Sequence, residues 1–535
     1  MDCSLRHIIT KAFVFVLLSV QFDGYAQGDV NVGQFVQLGT LLSDADNAPF
    51  WLTANRQGVQ SLETSSGYAR YGIAVNGGFT GSGSWKYSAG ADVIAGYNQL
   101  NAFALHELYA VVSYKWLSLD MGVKERFAES RTSASAMMGA SEERGELFSR
   151  LYGRTLSELG TGGLLYSGNS APIPQVRIEV PEYVDVPGTG SWLKLRGHIA
   201  YGIFLDNDFQ KDFTSSNPSI RYGKNILYHS KALFLKVANP EKFPLEAEGG
   251  LEMYSQFGGD IYTHANGKVL SMPRGIKDYF KAFIPLSGDD STPSTEQTNI
   301  SGNQIGNWHL ALTLRTEPVD IRLYGEHLFE DFSQLFFFEY QSNREGKRTI
   351  TYYPWRDIQV GLSVTNKTGF LKFISSVQYE YTSMYDQSGA GYNDPNEYFK
   401  EQMDGVDDYY NHSIYPGWHY YGMGIGNPVA FSPLYNTNGS LVFRGNRFKA
   451  HNVGVNGAFA KEDMFKYRLL YTYSENWGTY FNPFSEKRYT TSLLADIVFV
   501  PTDRWVVSLS LAYDKSNFIG DNWGAMFSLT RMDLF

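Results

Sequence analysis

The connections between predicted strands in the second half of this chain alternate between long polar segments and very short ones. The long connections cover residues 206–225, 257–305, 342–355, 382–448, 475–487 and 515–521, and the short ones lie near residues 239–245, 317–320, 365–369, 461–463 and 500–503. Transmembrane β-barrels of bacterial outer membranes have this asymmetry, because tight turns join their strands at the periplasmic side and long loops join them outside. A soluble β-sandwich has no reason to place every long connection at one end.

The strands between these connections alternate apolar and polar side chains. Along one of them Trp505, Leu509 and Leu511 point one way, and Ser508 and Ser510 point the other way. In a membrane barrel the apolar face meets lipid and the polar face lines the lumen. In a soluble sandwich the polar face meets solvent, so alternation alone allows both folds. The asymmetry of the connections favours the barrel.

The N-terminus predicts export. Arg6 and Lys11 flank the short apolar run 12–20, and the small residues of 24–26 predict cleavage before Gln27. These are the features of a secretory signal peptide, and the run is too short to cross a bilayer as a helix. The single cysteine, Cys3, lies in the removed segment, which excludes disulfides and cysteine chemistry from the mature chain.

Composition is compatible with a barrel and excludes some partners. Aromatic residues make up 16% of the chain and charged residues 19%, and the net charge is −10. Tyr and Trp are enriched in the aromatic girdles of membrane barrels, although a Tyr-rich soluble carbohydrate-active protein would have a similar composition. The acidic balance gives no basic face for nucleic acid. No mature segment is long and apolar enough to predict a transmembrane helix.

The predicted fold is all-β, a transmembrane barrel of about 18 antiparallel strands with short periplasmic helices and a loop-plugged lumen. We divide the chain into a signal peptide (1–26), an N-terminal periplasmic or plug segment (27–66) and the barrel (67–535), with a helical insertion near 126–160 outside the wall. Smaller predictions are a short helix over 32–42, strands near 67–79, 84–97, 102–115 and 116–125, and two further strands within 161–180. The final strand ends in Phe535, similar to the terminal aromatic that barrel-assembly machinery reads, but Arg531 and Asp533 make that signal partial.

Catalytic and metal-binding signatures are mostly absent from the sequence. There is no G-x-S-x-G, no H-E-x-x-H and no Walker loop. His412 and His419 share a loop, but two histidines seven residues apart are a weak metal signal. We therefore expect no enzyme activity, no metal and no cofactor.

Three stretches are distinctive: 49–58 (PFWLTANRQG), 162–178 (GGLLYSGNSAPIPQVRI) and 409–450, which contains YYNHSIYPGWHYYGMGIGNP and FRGNRFKA. In these stretches, and over residues 35 to the C-terminus as a whole, the chain resembles the capsule-assembly Wzi family of outer-membrane proteins in the form found in Bacteroidetes-type bacteria. The resemblance implies an 18-stranded barrel with periplasmic helices, an occluded lumen and a location in the bacterial outer membrane. It also implies a surface lectin that holds capsular polysaccharide on the cell.

Aromatic rings that stack on sugar faces and arginines that pair with acidic sugars are the expected chemistry of such a lectin. The candidate carbohydrate-binding residues are Tyr409, Tyr410, Trp418, His419, Tyr420, Arg444 and Arg447, all in or beside the connection 382–448. These aromatics can equally pack the connection into the lumen as a plug that needs no ligand. Trp51, Arg56 and Arg177 lie in the motifs that match the family, and a structural role in closing the barrel base is as plausible for them as binding.

Two other functions stay open. A channel or porin for a polyanionic glycan would use an open lumen lined by basic residues, for which the predicted inward-facing candidates are Lys194, Arg196, Arg315, Lys372 and Arg468. An outer-membrane lipase would need Ser and His at the barrel rim, which the sequence does not refute. The expected partners are a capsular or other surface polysaccharide, outer-membrane lipid and a periplasmic export partner.

Overall fold

Eighteen antiparallel strands form one closed barrel in the computed structural model. The structure describes residues 30–79, 84–126, 151–152, 154–285, 302–330, 335–336, 338–342, 348–352, 355–369, 371, 373–387, 407–459 and 464–533. The first nine barrel strands are β1 (Val30–Ser43), β2 (Ser65–Gly78), β3 (Trp85–Tyr97), β4 (Phe103–Tyr114), β5 (Leu117–Val123), β6 (Gln175–Asp185), β7 (Leu193–Ile203), β8 (Leu227–Val237) and β9 (Leu245–Phe257). The other nine are β10 (Asn303–Arg315), β11 (Val319–Glu330), β12 (Ile358–Asn366), β13 (Ser376–Ser383), β14 (Phe448–Phe459), β15 (Phe465–Gly478), β16 (Pro483–Thr502), β17 (Trp505–Ser516) and β18 (Asn522–Met532).

Pairing between the first and last strands closes the sheet. β1 pairs along one side with β2 and along the other with β18, where Phe35 lies opposite Met532 and Ser43 opposite Gly524. Every barrel strand therefore has two antiparallel neighbours and the sheet has no free edge, as a strand-built structure in lipid requires. The first and last barrel residues lie at the same end, which we call the turn end because it also carries the short turns. The opposite end is the loop end.

The outer wall is apolar and the inner wall polar. On β17 the side chains of Leu509, Leu511 and Tyr513 are exposed, whereas those of the alternate residues Ser510 and Asp514 are buried in the lumen. Aromatic side chains lie at both ends of the outer wall, with the Phe465 ring 4.6 Å from Phe499 at the turn end and exposed Tyr489, Tyr513 and Trp523 toward the loop end. These bands match the girdles of outer-membrane barrels. The predicted barrel class and its strand number are confirmed.

Several finer predictions are wrong. Residues 32–42 form part of strand β1 rather than a helix, because alternate side chains of this segment are buried against the lumen and its backbone pairs on both sides. The segment 27–66 is therefore not wholly outside the wall: its first half is a barrel strand. Residues 161–180 contain one barrel strand, which begins at Gln175, and not two. Most of the predicted connection 475–487 is strand, because β15 continues to Gly478 and β16 begins at Pro483.

Helices are few and short. They are α1 (Phe50–Thr53), α2 (Arg154–Ser157), α3 (Phe209–Phe213) and α4 (Ile276–Phe283), with 3-10 turns at Thr214–Ser216, Pro428–Ala430 and Pro433–Tyr435. The described residues also form three small accessory sheets. One has three strands, Arg221–Lys224, Asp260–Thr263 and Gly267–Ser271. The other two have two strands each, Phe338–Ser342 with Arg348–Tyr352 and His419–Tyr420 with Met423–Gly424. Among the residues described, no helix has the length and apolarity to cross a membrane.

Three segments fill the lumen: residues 48–60, 159–173 and 409–431, which we call the plug. Their apolar side chains form one cluster with inward-facing residues of the wall such as Leu470 and Leu494. The predicted helical insertion near 126–160 falls largely outside the described residues, but its described C-terminal part lies inside the wall. There Tyr152 accepts a hydrogen bond from Gln37 of β1 (3.0 Å), and Leu156 O accepts one from Asn456 of β14 (2.8 Å). The predicted signal peptide, Lys372 and Phe535 also lie outside the described residues.

A charge on the outer wall should destabilise the barrel. Leu511 is exposed near the middle of β17, so Leu511→Arg places a cation in the hydrocarbon and should lower the free energy of unfolding in lipid vesicles by about 2–4 kcal/mol. Tyr489→Arg, near the loop end, should cost about 0–1 kcal/mol. Urea titration of tryptophan fluorescence measures both. An equal effect of the two substitutions would contradict the assignment of the lipid-facing wall.

Candidate functional site

The three distinctive stretches of the sequence meet in the plug. Ser167 N donates to Ile425 O (2.8 Å), and Asn169 Nδ2 donates to Gly424 O (2.9 Å), which joins the second stretch to the third. Gln57 N donates to Gly168 O (2.6 Å) and joins the first stretch to the second. Gly426 allows the second and third stretches to approach closely, because a Cβ there would lie 2.5 Å from Leu164 O.

Carboxylates of the inner wall hold the plug by its backbone. Phe50 N donates to Asp514 Oδ2 (2.7 Å), and Leu164 N donates to Glu326 Oε2 (2.9 Å). Thr161 N donates to Glu380 Oε1 (2.9 Å). Hydrogen bonds to ionised acceptors are stronger than neutral ones, and a buried amide without a partner is costly. Carboxylates of the inner wall therefore satisfy backbone amides of the plug at these three positions.

Five of the seven candidate carbohydrate-binding residues belong to this packing. Tyr409, Tyr410, Trp418, His419 and Tyr420 are all at most 4% exposed. Trp418 Nε1 donates to Leu165 O (2.9 Å), and Tyr409 OH donates to Asp357 Oδ2 (3.3 Å). Their rings are covered by protein, as expected for the plug interpretation, so in this arrangement they present no face to a glycan.

The other two candidates lie at the loop end. Arg444 is exposed, and Arg447 is half-buried. Arg447 Cζ lies 4.6 Å from the centre of the Tyr385 ring and 5.8 Å from that of Tyr480. Arg447 Nε donates to Tyr385 O (2.9 Å), which fixes the guanidinium over the ring. We call Tyr385, Arg447, Lys449, Trp477, Tyr480 and Lys487 the rim cluster.

Cations and aromatic faces alternate in the rim cluster. Lys449 Nζ lies 4.7 Å from the Tyr385 ring centre, and Lys487 Nζ lies 5.3 Å from that of Trp477. The rings of Tyr385 and Trp477 pack edge to face at 4.6 Å. Lys487 pairs with Glu475 (3.3 Å), but in the part of the chain that the structure describes no ion pair involves Arg447 or Lys449. The cluster therefore offers partly exposed rings beside two cations that form no ion pair among the described residues, although Asp408 interacts electrostatically with Arg447 at longer range.

The family-motif residues all face the lumen. Trp51 Nε1 donates to Thr472 Oγ1 (3.2 Å) and Arg56 Nη2 pairs with Asp496 Oδ1 (3.2 Å), so both join the plug to the wall. Arg177 lies on the inner face of β6 and pairs with Glu179. These contacts are structural ties between the plug and the wall or within the wall.

The basic residues that a channel would need are neutralised or stacked. Arg315 pairs with Glu246 (3.0 Å between Nη2 and Oε2) and Asp320 (2.9 Å). Arg468 Nε donates to Asp496 Oδ2 (2.9 Å), and Arg196 Cζ lies 4.3 Å from the Phe234 ring centre. Lys194 pairs with Asp185 near the turn end. The described lumen thus carries paired charges and not a continuous basic path.

The two histidines of the third stretch are parts of the plug and not a metal pair. His412 Nδ1 accepts hydrogen bonds from Ile414 N (3.1 Å) and Tyr415 N (3.2 Å). Burial lowers the pKa of His412 to about 4 and the pKa of His419 to about 4, which keeps both neutral near pH 7. Among the described residues no group of three or more His, Cys, Asp and Glu side chains could hold a metal ion.

Fold and lumen together define the chain as an outer-membrane β-barrel with a plugged interior. Its structure is similar to that of Wzi from Escherichia coli, an outer-membrane protein involved in group 1 capsule assembly and described as a carbohydrate-binding β-barrel. The TM-score is 0.51 and the identity 12%, over 92% of this chain and 83% of that chain. At this identity the likeness shows a shared fold.

Weaker likenesses extend to two further solved structures. OccK3 of Pseudomonas aeruginosa has a TM-score of 0.45 and 11% identity, over 95% of this chain and 96% of that chain. OprD of the same organism has a TM-score of 0.43 and 9% identity, over 96% of this chain and 97% of that chain. Neither a protein-family model nor a curated protein sequence matches this chain.

Sequence reasoning did not find most of the rim cluster. Tyr385 lies in the same connection as Arg447 but 62 residues before it, and Trp477 and Tyr480 lie at the end of β15 and just after it. The pairing of β14 with β15 brings them beside Arg447. A signal was present, because Trp477 and Tyr480 lie between the ends of two predicted strands where an aromatic residue has no lipid to face. The sequence has more aromatic residues at 409–421, which favoured binding candidates in a segment that belongs to the plug.

Truncation of a plug aromatic should lower stability. Trp418 is fully buried against Phe204 and Tyr254, so Trp418→Ala should lower the free energy of unfolding by about 3–5 kcal/mol. Arg444→Ala, at an exposed position of the same connection, should change it by less than about 0.5 kcal/mol. The temperature at which the folded band disappears in semi-native gels measures the difference. A Trp418→Ala protein as stable as the wild type would contradict the plug assignment.

The plug should weaken in mild acid. The pKa of His419 is lowered to about 4 by burial, whereas the unfolded chain takes up this proton near pH 6.5. Between pH 4 and pH 6.5 the unfolded state therefore binds more protons than the folded state. The free energy of unfolding is unaffected above pH 6.5 and declines as the pH falls toward 4. We expect a loss of about 2 kcal/mol between pH 7 and pH 5 from this residue. His419→Gln, which takes up no proton, should flatten the pH profile of unfolding; an unchanged slope would refute the assignment.

Proposed function

We propose that this protein is a surface lectin of the bacterial outer membrane that binds capsular polysaccharide and helps to attach or assemble the capsule. The rim cluster is the observation that carries the proposal. It lies at the loop end of the barrel, the end that faces the environment in outer-membrane barrels. The role is non-enzymatic, since binding alone retains a polymer at the surface.

The chemistry of the rim cluster suits a glycan. Pyranose rings stack their C–H faces on aromatic rings, and Tyr385, Trp477 and Tyr480 are partly exposed. Arg447 and Lys449, which form no ion pair among the described residues, would pair with the carboxylate or sulfate groups of an acidic sugar. A neutral glycan would use the rings alone. The arrangement therefore favours a polyanionic polysaccharide.

Weak sites are sufficient for this function. A capsular polysaccharide repeats the same unit many times, and one cell carries many copies of an outer-membrane barrel. Once one site is occupied, the next binds at a high effective concentration, so the polymer is held far more tightly than any single unit.

A channel for a polyanionic glycan is the second candidate. It is favoured by the barrel class, because barrels of this class include channels as well as binding proteins. The plug and the paired charges of the lumen favour the lectin over the channel, since transport of a charged polymer needs an open path and unpaired countercharge.

Loss of the rim cluster should release the glycan without unfolding the barrel. We expect the double variant Arg447→Ala, Trp477→Ala to bind purified capsule from the same cell at least about tenfold more weakly, the equivalent of about 1.4 kcal/mol. Lys515→Ala is the matched control, because Lys515 is an exposed cation at the loop end of β17 that lies outside the cluster. Glycan-array or surface plasmon resonance binding measures the effect, with heat-dependent gel mobility as the test of folding. Unchanged capsule binding by a folded double variant would exclude the site.

A further inference from the structure

The outer wall carries a concave apolar recess beside helix α4. Its volume is about 770 Å³, within the range of roughly 300–1,000 Å³ of ligand pockets. The recess lies on the lipid-facing side, because its lining includes the exposed side chains of Ile199, Leu233 and Leu310. The outer wall of a barrel is ordinarily convex, so a recess of this size must be formed by additional local features.

Helix α4 forms one border of the recess. Tyr201 OH donates to Tyr279 O (2.9 Å), and Gln304 Nε2 donates to Lys281 O (3.2 Å), so the helix lies against the outside of the wall near the loop end. Lys231, on the outer face of β8, donates from its ammonium group to Ala282 O (3.2 Å) and Phe283 O. A cation at the last carbonyls of a helix is stabilising.

Helix α4 and the residue after it present an apolar stripe that the described part of the chain leaves exposed. Ile276, Phe280 and Ile284 recur every four residues and are 79%, 64% and 54% exposed. Helices with one apolar and one charged face lie in the interface of a bilayer, with the apolar face in the acyl region. On a barrel wall this places α4 at the boundary between headgroups and acyl chains.

Gly249 and the segment that contains Leu335 form the rest of the recess. Gly249 faces outward on β9, and a Cβ there would meet only Leu310 Cδ2, at 3.7 Å. On the far side Trp308 Nε1 donates to Leu335 O (2.7 Å), which holds a second segment against the wall. Among the described residues that line the recess with an outward side chain, Lys231 is the only charged one, and its ammonium group donates to carbonyls at the end of α4.

We propose that this recess binds one acyl chain of an outer-leaflet lipid. The lining is apolar, it opens on the face that lipid contacts, and α4 lies where the headgroup of such a lipid would begin. Helix α4 and the hollow at Gly249 let the protein surround the acyl chain on several sides, which the convex wall elsewhere does not. This site is separate from the rim cluster and does not depend on the lectin proposal.

The test compares lipid binding by variants that fill the recess. Dipalmitoyl phosphatidylglycerol is titrated into delipidated protein in detergent, and native mass spectrometry counts the bound lipids. Wild-type protein should retain one lipid, and Gly249→Leu should lower its occupancy at least about tenfold. Gly67→Leu is the matched control, because Gly67 also faces outward and a Cβ there would meet only Gly39 O, at 3.6 Å, on the far side of the barrel.

Two further arms make the result decisive. Leu233→Trp fills the recess from an exposed position without a change of backbone freedom, so it should also lose the lipid if Gly249→Leu fails to fold. Dihexanoyl phosphatidylglycerol, which has the same headgroup and short chains, should bind at least about tenfold more weakly than the dipalmitoyl lipid. Retention of the lipid by a folded recess variant, equal binding of the short-chain lipid, or no specific lipid on the wild type would overturn the proposal.

Discussion

Closure of the sheet between β1 and β18 is the constraint on which the rest of the structure depends. A strand in lipid has no water to satisfy its backbone, so each strand must have two neighbours. The pairing of Phe35 with Met532 and of Ser43 with Gly524 supplies the last pair. Once the barrel is closed, every strand has one face in lipid and one in the lumen, which explains the two-residue alternation of the sequence.

The polar inner face requires partners, and in this protein much of it receives them from the chain itself. Carboxylates at Asp514, Glu326 and Glu380 accept hydrogen bonds from plug amides, and Arg56 of the plug pairs with Asp496 of the wall. A half-satisfied buried network would cost more than an apolar core, so these contacts favour one arrangement of the plug. The same contacts occupy the space that a transport path would need. We therefore place the proposed binding sites outside the lumen: the rim cluster for glycan, and the outer wall for lipid.

Local periodicity was sufficient to predict the wall of the barrel. The barrel class, the strand number and the strands from 67 to 125 could be read because side chains on a wall between lipid and lumen must alternate. The segment 32–42 was misread as a helix, since its strand is recognisable only once its partner β18 is known. The segments 161–173 and 409–431 have no periodicity, because they are shaped by contacts with the wall and with each other. For the same reason Trp418 was proposed as a binding residue although it is part of the plug, and Tyr385 and Trp477 of the rim cluster were not found.

The most direct test of the plugged lumen is the current through single wild-type barrels in a planar bilayer. The account predicts insertion without stable conductance steps at neutral pH, because the plug fills the lumen and its charges are paired. Large, long-lived steps in salt solution would contradict it, because they would require an open aqueous path where residues 48–60, 159–173 and 409–431 are placed.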